Sequence, residues 1–237
     1  MYSIYETHFI CRPEISEDFI RPYIIDNNGI LKGTDEIPEY LRQHGISVGE
    51  NCNFAGIPRI SFCHLRDTDN YEEESRKQLY NIEDFEGAIK IGSNVLLDSS
   101  FNPGFTNQPV KFSCLKCNSG LSGRIELGCN CHLNGTSIIS YSSVRIEDNV
   151  NLGPMVTIMD SSGHSAQKRH EFGEVASIKS DPVVIKEGAW IGTGVTILKG
   201  VTIGYSSVIG TNSVVYESIP DNCIALGNPA KVVKKLK

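Results

Sequence analysis

His164 breaks a rule that its own surroundings keep. Counting in sixes through Ile146, Leu152 and Ile158, the next aliphatic is due at position 164, where an imidazole stands instead. Departures of that kind are expected where a chain carries function. A neutral imidazole, with an ordinary pKa of about 6.5, can take the proton of a hydroxyl as that oxygen attacks an acyl carbon, so His164 is predicted to be a general base. Asp160, Glu174, Asp181 or a backbone carbonyl could orient the ring, and the sequence does not choose among them.

Two other sets of residues invite chemistry. Cys114-x-x-Cys117 followed by Cys129-x-Cys131 has the outline of a four-thiolate zinc site, but the spacing between the pairs is short and irregular. Cys131 also lies four residues after Leu127, as Cys52 does after Val48, which predicts small core residues rather than ligands. At the other end of the chain, GNPAKVVKKLK carries four lysines, Lys231 and Lys234 among them, a local cation suited to an exposed phosphate.

The frame that His164 interrupts is a six-residue repeat. Ile185, Ile191, Ile197, Ile203, Ile209 and Val215 fall in one register, which chance would give on the order of once in 4,000 trials. Four residues after each stand Ala189, Val195, Val201, Ser207, Ser213 and Ile219, small or β-branched for the most part. Such a period predicts very short strands joined by tight corners, with an aliphatic filling the interior and glycines such as Gly194 and Gly200 supplying positive φ. The register recurs upstream at Leu127, Leu133 and Ile139, at Ile91 and Leu97, and at Val48, Phe54 and Ile60.

Three insertions interrupt it, between His64 and Gly87, Asn102 and Arg124, and Asp160 and Asp181, and on a solenoid they should project as loops. The first, DTDNYEEESRKQLYN, reads as a solvated helix or loop, and a short helix is expected over Asp35 to His44, ending at Gly45. The expected organisation is an N-terminal segment over 1–45, one solenoid over 46–222, and a cap with a basic tail over 223–237.

Composition sets the bounds. The 237 residues are 40% hydrophobic and 21% charged, a globular composition, and 22 basic against 28 acidic residues leave a net charge of −6, which disfavours nucleic acid or an anionic membrane as partner. The opening residues include Glu6, His8 and Arg12, and no run of 18 apolar residues occurs, so a secretory signal and a membrane span are not expected. The eight cysteines are then expected to be reduced thiols in a cytoplasmic protein.

The stretch from IEDNVNLGPMVTIMDSSGHS through PVVIKEGAWIGTGVTILKGVTIGYSSVIG to GNPAKVV resembles the hexapeptide-repeat acyltransferases, most of all the sugar and polysaccharide O-acetyltransferases of the galactoside and maltose type. The resemblance is strong from about Leu127 to Val233 and thin before Ile89. It implies an all-β fold, a single-stranded left-handed parallel β-helix, assembled as a homotrimer with sites between subunits. It further implies an acetyl-CoA donor, a saccharide acceptor and no metal.

Residue by residue, the likeness makes His164 the catalytic histidine closing VTIMDSSGH. It sets Trp190 and Gly192 beside the acyl end of the donor and the Thr193 N–H toward the thioester oxygen. Gly210 would admit the pantetheine arm, and Lys231 and Lys234 would meet the phosphates. Asn134 resembles a sugar-contacting asparagine, while Ser140 and Tyr141 replace an acidic pair of the galactoside-type enzymes, which puts that specificity in doubt.

Other readings remain beside this one. An amino acceptor would make the chain an N-acetyltransferase of an amino or nucleotide sugar. His132, His164 and His170 would supply the three ligands of a γ-carbonic-anhydrase-like zinc enzyme on the same solenoid. A non-catalytic β-helix scaffold is the third.

Overall fold

The computed structural model describes residues 37–56, 58–67, 82–100, 108–169 and 171–237. Three parallel sheets, of six, eight and six strands, form the faces of a triangular prism. The chain visits them in strict rotation, the path of the left-handed parallel β-helix that the repeat leads one to expect.

Each face stacks one inward aliphatic per coil. On the first, Val48, Ile91, Leu127, Ile146, Ile185 and Ile203 are in register. The second stacks Phe54, Leu97, Leu133, Leu152, Ile191, Ile209 and Ala225. The third stacks Ile60, Phe112, Ile138, Ile158, Ile197 and Val215. The corner residues Ala189, Val195, Val201, Ser207 and Ser213 are buried with them, and Gly194 and Gly200 take φ of 67° and 75°. Two-residue strands suffice because most of their backbone N–H and C=O groups pair with the coil above or below rather than within their own segment.

The structure shifts the predicted frame in three places. Ile138, not Ile139, faces inward, because the corner at Gly135 is one residue shorter than a full repeat. Much of the second insertion is not an insertion: Lys111–Cys117 is a seven-residue strand of the third face, paired along its whole length with Arg59–Leu65. The second face also continues past position 222, since Cys223–Gly227 pairs parallel with Val208–Ile209, and Ala230–Lys235 then returns antiparallel along it.

Helix α1, Ile37–Gln43, buries Ile37 and Leu41 in the same core as Val48 and Phe54. Most of the DTDNYEEESRKQLYN segment, and residues 1–36, lie outside the described residues.

A second, smaller core lies outside the prism. The two long strands of the third face turn Cys63, Leu65 and Leu115 outward, and Val175 of the 161–180 excursion closes over them, with Ile139, Tyr141 and Ile178 at its margin. That platform anchors the loop on which His164 sits.

Candidate active site

His164 is not an inward residue. The coil turns at Asp160, whose fully buried carboxylate accepts hydrogen bonds from Ser140 Oγ (2.8 Å) and from the N–H groups of Tyr141 (2.7 Å) and Ser142 (2.9 Å). Burial pushes this carboxyl above its ordinary pKa, with the backbone donors of Tyr141 and Ser142 opposing. Asp160 is therefore spent on joining two coils, and the chain leaves the prism before position 164 is reached. The imidazole is 54% exposed as a result.

The loop returns as α2, a single turn over Glu174–Ser177. Glu174 is buried, and its Oε1 lies 2.9 Å from His164 Nδ1 and accepts the Ser165 N–H at 3.2 Å. Since a carboxylate only accepts, the shared proton belongs to Nδ1, which leaves the lone pair on Nε2. Of the orienting groups open in the sequence, the structure brings Glu174 to the ring. Asp181 lies beside Lys199 instead, at 3.6 Å.

Beneath the loop, the Tyr141 hydroxyl and the Met159 methyl lie against Gly163, whose φ of 71° turns the chain into His164. Burial pushes the Tyr141 phenol up to about 12, so it stays a neutral donor at any working pH. Tyr141 also lines a hollow of about 570 Å³ at the foot of the loop, with Arg124, Glu126, Ser142, Ser143 and Ser180.

The predicted donor-side residues lie elsewhere on the prism. Trp190 projects from the second face, 59% exposed. The N–H groups on either side of Thr193 are spent on neighbouring coils, Gly192 on the Ile209 carbonyl and Gly194 on that of Pro154, at 2.8 Å each. The Thr193 N–H meets no acceptor among the described residues. Gly192 and Gly210 each have a packing reason to be glycine: a Cβ would lie 2.8 Å from the Ile209 carbonyl oxygen and the Thr211 nitrogen in one case, and from Leu226 Cβ in the other. Lys231 and Lys234 lie exposed on the returning strand. The Lys231 ammonium donates to Glu217 at 3.0 Å, which raises its pKa, while Lys234 stands beside Ile224.

Asn134 ends a strand of the second face and donates to the Leu152 carbonyl at 3.4 Å. It is one coil from His164 in sequence but belongs to a different edge. His164 lies on the edge between the third and first faces, whereas Thr193 and Asn134 lie where the second face passes to the third. One chain thus does not bring His164 and the predicted donor-side residues together at a single edge.

Among the described residues no group of three or more His, Cys, Asp or Glu side chains is placed to hold a metal ion, and no helix is long and apolar enough to cross a membrane. Cys114 and Cys131 are fully buried in the prism, and burial pushes the Cys131 thiol up to about 11. His170 lies outside the described residues.

No protein-family model matches the chain. Among curated relatives, galactoside O-acetyltransferase of Escherichia coli (strain K12) is 38% identical over 129 residues, 54% of this chain and 59% of that protein. Galactoside O-acetyltransferase of Lactococcus lactis subsp. lactis (strain IL1403) is 30% identical over 147 residues, 62% of this chain and 63% of its own. The chain thus matches a little over half the length of each. Among solved structures, a point mutant of AntD, an N-acyltransferase from Bacillus cereus in complex with dTDP-4-amino-4,6-dideoxyglucose and coenzyme A, superposes with a TM-score of 0.58. It is 22% identical and covers 84% of this chain and 88% of that one, a likeness of fold. In its six-residue repeat and three-faced helix the chain is similar to acetyltransferases, and the sequence likeness to the two galactoside O-acetyltransferases spans less than two thirds of either one.

Proposed function

We propose that the protein transfers an acetyl group from acetyl-CoA to a hydroxyl of a sugar or polysaccharide precursor, with His164 as general base. The observation that carries this reading is the His164–Glu174 contact: a buried carboxylate fixes Nδ1 as the protonated nitrogen and leaves Nε2 as a base at the exposed end of the ring. The named activity of the galactoside O-acetyltransferase relatives supports it.

In the proposed step Nε2 takes the proton of the acceptor hydroxyl while its oxygen forms a bond to the thioester carbon. The carbon–sulfur bond breaks, and the leaving thiolate takes the proton back from the imidazolium. No covalent enzyme intermediate is needed. Charge that develops on the thioester oxygen needs a preorganised donor, and the Thr193 N–H, unspent between two bonded neighbours, suits that role. The donor residues present also suit acetyl-CoA: Trp190 offers an apolar surface to the acyl arm, and Lys231 and Lys234 offer charge to its phosphates.

Because His164 and Thr193 occupy different edges of one prism, we infer that a complete site needs two copies of the chain, His164 from one and the Trp190–Thr193 edge from the next. A homotrimer closes three such sites by symmetry. The experiment is acetyl transfer from acetyl-CoA across sugars, oligosaccharides and amino sugars, with wild type and His164→Ala. A preference for amino acceptors would make the protein an N-acetyltransferase instead, and transfer unaffected in His164→Ala would remove the base assignment.

A further inference from the structure

We propose that Asp67 is a positioning residue for His164, acting through α2 and Glu174; the inference rests on the reading of His164 as the base. Helix α2 begins at Gly173, which has no side chain with which to cap it. The cap comes instead from 108 residues earlier in the chain: Asp67 Oδ1 accepts the Val175 N–H at 2.9 Å, and Oδ2 accepts the Ala176 N–H at 3.0 Å. These are the N–H groups of the first turn, which the helix itself cannot satisfy, and a carboxylate is their strongest partner.

Asp67 is itself held. It lies just past the end of the Arg59–Leu65 strand, and Asn118 lies just past the paired Lys111–Cys117 strand. The Asp67 N–H donates to Asn118 Oδ1 at 2.9 Å, and Asn118 Nδ2 donates to Asp67 Oδ2 at 3.1 Å. Asn118 has a φ of 48°, and its N–H is bonded to the Leu65 carbonyl at 2.7 Å. The two strands that lengthen the third face therefore end in a rigid clasp. That clasp grips the turn whose first residue, Glu174, holds the imidazole. Val175 fastens the same turn from below, buried on Leu65 and Leu115.

The consequence is a relay of position from coil to ring: Asp67 fixes α2, α2 fixes the Glu174 carboxylate, and the carboxylate fixes His164. An energy that reaches His164 only through Glu174 cannot be lost twice, so the two residues should be strongly non-additive.

The test uses the full-length protein. Steady-state acetyl transfer is measured for Asp67→Ala, Asp67→Asn, Glu174→Gln and the Asp67→Ala/Glu174→Gln double variant, alongside amide hydrogen exchange. Asp67→Ala is expected to lower kcat roughly tenfold with the KM for acetyl-CoA unchanged, and to speed exchange at Val175 and Ala176. Asp67→Asn, which keeps one acceptor oxygen, should recover part of the loss, and the double variant should be no slower than Glu174→Gln alone.

Additive losses in the double variant would overturn the proposal. So would wild-type kcat in Asp67→Ala, or a rise in KM without a fall in kcat. An active His164→Ala would instead sink the base assignment itself, an outcome that the Asp67 variants do not produce.

Discussion

His164 Nδ1 and Glu174 Oε1 lie 2.9 Å apart, with the carboxylate buried and the imidazole half in solvent. The arrangement gives the ring one protonated nitrogen directed inward and one basic nitrogen directed out, and it locates both ends of the pair on a single excursion from the prism. Glu174→Gln keeps the side chain's shape but offers an amide, free to turn its NH₂ toward the ring and favour the other tautomer. We expect kcat to fall by about 10²-fold or more, with the KM for acetyl-CoA little changed and circular dichroism as in wild type. An unchanged kcat would show that Glu174 serves the loop alone.

The edge relationship predicts complementation. His164→Ala removes the proposed base from one edge, and Thr193→Pro removes the proposed oxyanion donor from another, so each homogeneous protein should be inactive. If a site takes one residue from each of two copies, subunits mixed by joint refolding should regain about a quarter of wild-type sites, by random assortment around a closed ring. No recovery from a mixed assembly confirmed by mass would place both residues in the same copy.

Much of the prism is legible in the spacing of its aliphatic residues. The six-residue register from Ile185 to Val215 survives intact as three stacks, because each coil repeats the same steric problem and must solve it with the same residue types. The frame slipped where the problem changes. At Ile138 a corner is shortened, and at Lys111–Cys117 a strand lengthens to carry an external core rather than the internal one. His164 stood out for an instructive reason: the register failed there, although the failure reflects the chain leaving the prism at Asp160 rather than an imidazole taking a core place. Glu174 was one of several candidate partners in the sequence, since nothing local shows which carboxylate folds back. Asp67 carried no signal at all, being 108 residues from the turn it caps.

Coil stacking gives a prediction for stability. A methyl at Gly192 would stand 2.8 Å from the backbone of the next coil, at the Ile209 oxygen and the Thr211 nitrogen, neither of which can swing aside. Gly192→Ala should therefore cost on the order of 1–3 kcal/mol of stability and lower Tm by several degrees. A Tm equal to wild type would mean that the coils separate more readily than their hydrogen bonds imply.

The Asp84–Lys116 contact, at 2.7 Å, predicts a pH dependence. The hydrogen bond from Lys116 holds the Asp84 carboxyl below its ordinary value of 3.8, with the Lys116 charge adding to the effect. A carboxylate depressed in the folded state contributes stability above its unfolded pKa and loses it as pH falls through the folded one. Asp84→Asn should thus lower Tm at pH 7 and converge with wild type below about pH 3. Parallel Tm curves across that range would remove Asp84 from the acid response.

The most direct measurement is the rate of acetyl transfer from acetyl-CoA to a sugar hydroxyl by His164→Ala, beside wild type and with the donor saturating. If Nε2 of His164 is the base, kcat falls by roughly 10² to 10⁴-fold while the variant keeps its melting temperature and its affinity for coenzyme A. Transfer at the wild-type rate by a folded His164→Ala protein would contradict the account.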